Sequence, residues 1–156
     1  MSSFLVSDTR EEGKMTSAWI THRGCVYPSD CDHMGHLNVA SYVNKFDQAT
    51  WNFFADIGLT RDYLDRNNIG LAAVQQNTSY QRELMPGDVL TVRTALIELA
   101  GKKIRFRHEM TNGVTGDVAA VMEVLAVCID SNTRTSRPFP DEIAARASSE
   151  PEGGAK

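Results

Sequence analysis

Residues 29–58 read SDCDHMGHLNVASYVNKFDQATWNFFADIG, and this stretch has the clearest structural pattern in the chain. Its first third gathers two aspartates, a cysteine, two histidines and a glycine in a short polar segment. In the rest, apolar residues recur three or four positions apart, which predicts an amphipathic helix with one buried face. The residues of this face are Val39, Tyr42, Val43, Phe46, Thr50, Phe53, Phe54 and Ile57. Asn38 is predicted to cap the helix and Gly58 to end it.

A polar segment that leads into a buried helix has a chemical consequence. The first N–H groups of a helix have no partner inside it, and the helix dipole adds partial positive charge at the same place. The segment therefore brings reactive side chains next to unpaired N–H donors. This arrangement suits a reaction in which negative charge develops on an oxygen atom.

The size and composition of the chain restrict its class. It has 156 residues, of which 42% are hydrophobic and 23% charged, as is typical of one soluble globular domain. A formal net charge of -4 argues against general nucleic-acid binding. The 3 cysteines form no C-x-x-C pair, so neither a disulfide framework nor a structural zinc site is predicted. Without a secretory signal or a long apolar run, the predicted location is the cytoplasm.

Turn-forming and capping residues along the chain predict the remaining helices and strands. Residues 1–17 are expected to form a flexible N-terminal arm, 18–143 a single domain, and 144–156 a disordered tail. Thr60 is predicted to cap a short helix that ends at Gly70. Strands are predicted at 18–28, 71–84, 89–99, 103–111 and 118–130. Four of them follow one another through short turns, which predicts an α+β fold with an antiparallel sheet and the long helix across its concave face.

The segment DCDHMGHLN, residues 30–38, resembles the D-x-D-x-x-G-H-x-N signature of the hot-dog acyl-CoA thioesterases related to 4-hydroxybenzoyl-CoA thioesterase. The resemblance continues through Asp47 and, more loosely, along residues 18–140. It implies a five-stranded antiparallel sheet wrapped around one long central helix, and the hydrolysis of an acyl-CoA. The 4-hydroxybenzoyl enzymes lack a histidine and an asparagine where this chain has His36 and Asn38, which match the broader acyl-CoA thioesterase branch.

Carried over residue by residue, the resemblance gives roles to the positions of this signature. Asp32 matches the catalytic carboxylate, acting as a nucleophile or as a general base for water. The backbone N–H near Val39 matches the donor that stabilises the oxyanion. His36 and Asn38 are expected to orient the carboxylate, the water or the carbonyl group. Gly35 lines the substrate site in this interpretation, or meets a backbone requirement for positive φ.

Several loop residues also have structural interpretations. Asp30 is expected to cap a turn or to orient the loop. His36 is either the general base or a structural hydrogen-bonding residue. A metal site formed by Cys31, His33 and His36 is the less favoured alternative, because their spacing matches no standard zinc pattern. No metal or cofactor is therefore predicted, and coenzyme A enters as part of the substrate.

One basic group contrasts with the acidic balance of the chain. Its members are Lys102, Lys103, Arg105 and Arg107. They form either a solvated strand face or the contact for the phosphates of coenzyme A. The family resemblance implies a homodimer or homotetramer whose active sites lie between two protomers, so that the basic strand of one serves Asp32 of the other.

The acyl group is predicted from the residues that continue the helix. Asp47 has either a solvated or ion-pairing role or a role in substrate binding, and Trp51 and Phe54 either pack in the core or an interface or bind the substrate. Residues 75–108 and the terminal RPFP also resemble thioesterases of carnitine and betaine breakdown. An aromatic wall near a carboxylate suits a quaternary ammonium through cation–π attraction, so short cationic acyl-CoAs such as betainyl-CoA are the predicted substrates.

Two other functions fit the same residues. A hot-dog enoyl-CoA hydratase or dehydratase would use a histidine and a carboxylate to move protons about an enoyl thioester, although the signature fits it less well. A non-catalytic acyl-CoA-binding protein would keep the site without the reaction. Only the hydrolase releases free coenzyme A, so thiol release from an acyl-CoA separates the three functions.

Overall fold

The computed structural model describes residues 18–149 together with Pro151, so the expected N-terminal arm and the end of the expected tail lie outside the described residues. Within this range the chain forms five strands and three α-helices. In chain order they are β1 (Trp19–Cys25), α1 (Val39–Asp56), α2 (Arg61–Asn67), β2 (Ile69–Tyr80), β3 (Val89–Ala100), β4 (Lys103–Asn112), β5 (Val118–Asp130) and α3 (Asp141–Ala147). A 3₁₀ turn, Pro28–Asp30, follows β1. None of the described helices is long and apolar enough to cross a membrane.

The strands form one antiparallel sheet in the order β1-β3-β4-β5-β2. The long helix α1 lies on one face of this sheet and packs mainly against β1 and β3. The predicted α+β class and antiparallel sheet are therefore confirmed. Strands β1 and β2 form the two edges.

The hydrophobic core lies between α1 and the inner face of the sheet. On β4, Ile104, Phe106 and Met110 are fully buried and alternate with partly exposed charged residues. Phe53 of α1 packs on Phe106 with ring centroids 5.0 Å apart. Burying each such side chain stabilises the fold by about 1.5–3 kcal/mol, and this explains the apolar spacing of the helix.

The polar residue His108 is completely buried in this region, as is Thr94. Its Nδ1 lies 2.7 Å from the Thr94 hydroxyl, and its Nε2 lies 2.7 Å from the Thr50 hydroxyl. Because Thr50 donates its own proton to the Phe46 carbonyl oxygen at 3.0 Å, it accepts from Nε2, and His108 is a neutral Nε2–H tautomer. Burial lowers the pKa of His108 to about 3.

The limits of the helices agree with the prediction at α1 and differ at α2. The Asn38 side chain accepts a backbone N–H of the first turn of α1 at 3.1 Å, and Gly58, with φ of +96°, follows the last turn. Helix α2 is capped at its end by Asn68 in the left-handed conformation and not, as predicted, by Gly70. Gly70 lies in β2, where a Cβ atom would come within 2.8 Å of the Ile129 side chain, so close packing explains this glycine.

Two strands end earlier than predicted. Strand β1 ends at Cys25, because Pro28 begins the 3₁₀ turn. Strand β2 ends at Tyr80, after which the chain leaves the sheet and buries Leu84 in the core. The Leu84 carbonyl oxygen accepts the Leu37 N–H at 2.8 Å, which ties this segment to the candidate loop.

Packed structure continues past residue 143, where the sequence predicted the domain to end. Ile143 and Ala147 of α3 are buried, as is Phe139 just before the helix. Their spacing of four residues is a helical signal that the neighbouring prolines obscured. The Phe139 N–H donates to the Gly101 carbonyl oxygen at 2.9 Å, which fixes this segment on the turn between β3 and β4.

Candidate active site

The predicted loop is closed by an isolated bridge between Cys31 and Leu37. Inside it, the Asp32 N–H donates to the His36 carbonyl oxygen at 3.2 Å, and the Gly35 N–H donates to the Asp32 carbonyl oxygen at 3.0 Å. Gly35 has φ of +84°, a conformation that favours glycine. The backbone requirement predicted for Gly35 is therefore present, and it explains the residue without a substrate contact.

Asp32 is partly buried, and one of its two carboxylate oxygens is already bonded. Its Oδ1 accepts the Met34 N–H at 2.9 Å, which fixes the side chain over the turn. Within the described part of the chain, no donor contacts Oδ2. One oxygen thus holds the carboxylate in place, and the other is free to act on a substrate or a water molecule.

The start of α1 supplies the second half of the site. The Asn38 side chain accepts the Ala40 N–H, and the Asn38 carbonyl oxygen accepts the N–H groups of Ser41 and Tyr42. Among the residues that the structure describes, the Val39 N–H has no acceptor. The N–H that was predicted to stabilise an oxyanion is therefore the unoccupied one of the first turn.

Asp30 and Cys31 have structural roles at the base of the loop. Asp30 Oδ2 accepts the Tyr27 N–H at 3.0 Å, which confirms the predicted turn-capping role. Burial, together with the charges of Asp30 and Asp32, raises the pKa of the Cys31 thiol, so this residue is not an activated nucleophile. In residues 18–149, no three His, Cys, Asp or Glu side chains are grouped so that they could hold a metal ion, His33 and His36 included.

His36 is joined to a residue that the sequence analysis did not select. Its Nε2 lies 3.6 Å from Glu83 Oε1, and its Nδ1 lies 3.4 Å from the Leu37 carbonyl oxygen. The residues on both sides of Glu83 are hydrogen-bonded. The Tyr42 hydroxyl donates to the Arg82 carbonyl oxygen at 3.3 Å, and the Leu37 N–H donates to the Leu84 carbonyl oxygen at 2.8 Å. No sequence signal pointed to Glu83, since the pairing depends on the path of the chain after β2.

The predicted acyl-binding residues do not all come together. Val39, Val43, Asp47 and Trp51 follow one another at four-residue steps and form an exposed strip along α1. Trp51 is twelve residues beyond Val39, which is about 18 Å along a helix. Phe54 is buried and supports the Trp51 ring edge-on, with ring centroids 5.8 Å apart. The predicted aromatic wall is therefore remote from the carbonyl position of the same chain.

A different aromatic pair lies near the start of α1. Tyr80, at the end of β2, is 46% exposed and packs edge-on against Tyr42 with ring centroids 5.1 Å apart. Burial raises the pKa of Tyr42, and the nearby charge of Glu83 adds to the rise. Aromatic rings and a carboxylate thus lie together at this end of the molecule.

The basic group lies at the opposite end of the sheet. Strand β4 begins at Lys103, next to Lys102, and ends at Asn112, which pairs with the part of β3 that borders the end of β1 and the loop. Nine residues of strand, or about 30 Å, separate Lys103 from Asn112. Lys103 and Arg105 alternate with buried residues and therefore lie on the outer face, away from α1. A single chain does not bring them to Asp32.

The chain is similar in sequence to known proteins. The family model for the thioesterase-like superfamily matches residues 26–147, and the chain belongs to this superfamily. Betainyl-CoA thioesterase of Pseudomonas aeruginosa is 27% identical over 132 residues, which are 85% of this chain and 83% of that protein. Long-chain acyl-CoA thioesterase of Escherichia coli is 27% identical over 108 residues, which are 69% of this chain and 81% of that protein.

The fold is shared with a solved structure. A hypothetical protein from Staphylococcus aureus, solved in complex with CoA, superposes with a TM-score of 0.79 at 23% identity, covering 90% of this chain and 91% of that one. The predicted hot-dog architecture is therefore confirmed. The predicted enzyme class, thioester hydrolase, is supported by the names of both relatives.

Proposed function

We propose that this protein hydrolyses the thioester bond of an acyl-CoA at the start of α1. The observation that carries the proposal is a pair of groups, at the ends of one short loop, that have no bonding partner among the residues described by the structure. These groups are Oδ2 of Asp32 and the N–H of Val39. A carboxylate and a free N–H are the two groups that thioester hydrolysis requires, one for the carbonyl carbon and one for its oxygen.

In the proposed reaction, the thioester carbonyl oxygen accepts the Val39 N–H, so that the negative charge formed by attack lies at the positive end of the helix dipole. Asp32 either attacks the carbonyl carbon and forms an anhydride that water then hydrolyses, or takes a proton from water, which attacks directly. In both routes the C–S bond breaks, water supplies the hydroxyl of the free acid, and coenzyme A leaves as a thiol after gaining a proton.

His36 and Asn38 hold these groups in place in the proposal. Asn38 caps α1 and so fixes the first turn that carries the Val39 N–H. His36 is kept beside the loop by Glu83 and orients the attacking water or the carboxylate. The role of His36 is thus positional, with Asp32 as the reacting group.

For the acyl group, we propose a short cationic chain such as that of betainyl-CoA. The Pseudomonas aeruginosa relative is named for this substrate, and the half-exposed Tyr80 with Glu83 offers an aromatic face and a negative charge near the loop. The Escherichia coli relative is named for long-chain acyl-CoA. The exposed strip from Val39 to Trp51 is the surface that such a chain would need, and it supports long-chain acyl-CoA as the second candidate.

A panel of betainyl-CoA, octanoyl-CoA, palmitoyl-CoA and crotonyl-CoA tests the function. Release of free thiol is measured with each, together with hydration of crotonyl-CoA. We expect the highest kcat/KM for betainyl-CoA. The highest value for palmitoyl-CoA would select the long-chain alternative. Hydration without thiol release would identify a hydratase, and binding without either reaction would identify a binding protein.

We also propose that a second copy of the chain pairs with β2. This strand is 12 residues long, stands at the sheet edge, and is exposed from residue 73 to residue 77, with Val74 57% exposed. Such an edge is a template for strand pairing. A monomeric mass at micromolar concentration with full activity would contradict a dimer, and equally a tetramer built from it.

The role proposed for the basic group depends on this assembly. Lys102, Lys103 and Arg105 serve the phosphates of coenzyme A only in a site shared between copies, because they are remote from the loop of their own chain.

We propose no cofactor besides coenzyme A itself. All three cysteines are free thiols, which is typical of a reducing compartment, and we propose the cytoplasm as the location.

A further inference from the structure

Helix α1 carries a buried charge close to the candidate site. Lys45, on its second turn, is only 9% exposed. An ammonium group at such a position is unfavourable unless an opposite charge accompanies it. Its Nζ lies 3.8 Å from Asp30 Oδ2. Burial, and then the charge of Lys45, lower the pKa of His22 on β1.

The partner of Lys45, Asp30, also forms hydrogen bonds to two other parts of the site. Asp30 Oδ2 also accepts the Tyr27 N–H at 3.0 Å, at the residue immediately before the 3₁₀ turn that follows β1. The Asp30 carbonyl oxygen accepts the Asn38 N–H at 2.9 Å, at the cap of α1. One residue therefore connects the approach to the loop, the base of the loop and the start of the helix.

We propose that Lys45 is a positioning residue, which acts through Asp30 to hold the carboxylate of Asp32 at a fixed distance from the Val39 N–H. The inference rests on the proposed thioesterase function. Asp32 follows Asp30 by two residues, and Val39 follows the cap that Asp30 binds. Because the two reacting groups stand on either side of this connection, a shift of Asp30 changes their separation.

A second ion pair in the chain provides a matched comparison. Arg61 Nε and Asp65 Oδ2 are also 3.8 Å apart, but their side chains are 96% and 74% exposed, and the pair lies on α2. In the Lys45–Asp30 pair these values are 11% and 28%. Solvent screens the exposed pair, so its loss is expected to change little, whereas loss of the Lys45 charge leaves Asp30 partly buried and unpaired.

The test compares Lys45→Met, Lys45→Arg and Arg61→Met with the wild type, using the best substrate of the panel. A displacement of about 1 Å at a reacting group can cost up to about a hundredfold in rate. We expect Lys45→Met to lower kcat about tenfold with KM within about twofold, since positioning acts on the transition state. Lys45→Arg should recover most of the loss, and Arg61→Met should match the wild type.

Hydrogen exchange provides a readout that does not depend on catalysis. In Lys45→Met, the amides of residues 31–39 should exchange faster than in the wild type and in Arg61→Met, because the loop loses a fixed attachment. If Lys45→Met does not fold, Asp30→Asn replaces it, since its amide oxygen still accepts the Tyr27 N–H while the charge pair is lost.

Two results would overturn the inference. One is an unchanged kcat and unchanged exchange of residues 31–39 in Lys45→Met or its replacement. The other is a Lys45→Arg variant that is no better than Lys45→Met. Failure of the wild-type protein to release thiol from any acyl-CoA is a different outcome, because it rejects the proposed function while the exchange experiment still tests the attachment.

Discussion

His108 and His36 lie in opposite surroundings. His108 is completely buried and has a hydroxyl group 2.7 Å from each ring nitrogen. His36 is only partly buried, and its contacts are longer, at 3.4 and 3.6 Å. In the same loop and at the start of α1, Asp32 and Val39 each have one group without a partner in the described part of the chain. The polar groups around His108 therefore stabilise the fold by bonding to one another, whereas the loop and the start of α1 present polar groups that a substrate can bind.

The largest effect is expected from Asp32→Asn, which keeps the shape of the side chain and removes its charge. Turnover should fall at least about a hundredfold, the usual cost of losing an acid–base group. The Asn oxygen still accepts the Met34 N–H, so the melting temperature should stay near that of the wild type. Thiol release and thermal unfolding of the same preparation check both statements. Turnover within a few-fold of the wild type would place the reaction elsewhere.

A change at His108 is expected to lower stability and leave activity unchanged. His108→Ala should reduce the free energy of unfolding by about 2 kcal/mol, because it leaves a cavity and removes two buried hydrogen bonds. Activity per folded molecule should be retained. Urea unfolding measures the loss, and His33→Ala, at an exposed position, is the control for stability. A large loss of activity in folded His108→Ala would join the core network to the reaction.

The same histidine also sets a dependence of stability on pH. Its pKa is about 3 in the folded protein and about 6.5 when unfolded. The unfolded chain therefore binds the proton first, and stability is fully present above pH 6.5 and decreases as the pH falls toward 3. In His108→Ala, this part of the decrease should be absent.

A smaller effect on kcat is expected from Glu83→Gln, which changes the partner of His36 at the candidate loop. The amide keeps the size of the side chain but removes the charge beside His36, so kcat should fall about threefold to tenfold as the histidine loses its orientation. Asp65→Asn, which breaks the exposed pair with Arg61, is the control and should have no effect. Equal values of kcat in both variants would leave His36 without a positioning partner.

The smallest effect is expected from Trp51→Ala. Since Trp51 lies about 18 Å from Val39 along α1, its loss should change kcat/KM for betainyl-CoA by less than about threefold. Tyr80→Ala should lower the preference for betainyl-CoA over octanoyl-CoA by up to about tenfold, within the range of cation–π energies. The reverse order of the two variants would return the acyl site to Trp51, contributed by a second copy.

The sequence predicted local features well and pairings between distant segments poorly. The limits of α1, its cap at Asn38 and the loop signature follow from spacing and side-chain chemistry within one short stretch. The contact between His36 and Glu83 depends on the path of the chain after β2, which no local pattern encodes. The burial of Lys45 was missed for a similar reason, because a charged residue is normally assigned to the solvent side of a helix.

The distance between the basic group and the loop of the same chain depends on strand order, so only the family resemblance, and no local pattern, implied that the basic strand serves the loop of a second copy. In sequence, residues 102–107 differ from other strand positions only in charge. The register of β3 and β4 is what puts Lys103 at the far end of the sheet. The helix α3 was missed because Pro138 and Pro140 favoured a chain end, although Pro140 is tolerated immediately before the first turn.

The Val39→Pro variant tests whether the Val39 N–H stabilises the oxyanion. Proline is favoured at the first position of a helix, and Asn38, with ψ of 144°, already has the conformation that a following proline requires. The variant therefore keeps α1 and deletes one N–H group, while Val39→Ala removes the side chain and keeps that group. We predict that kcat for thiol release falls about a hundredfold to a thousandfold in Val39→Pro and stays near the wild-type value in Val39→Ala. Wild-type turnover by a folded Val39→Pro variant would contradict this prediction.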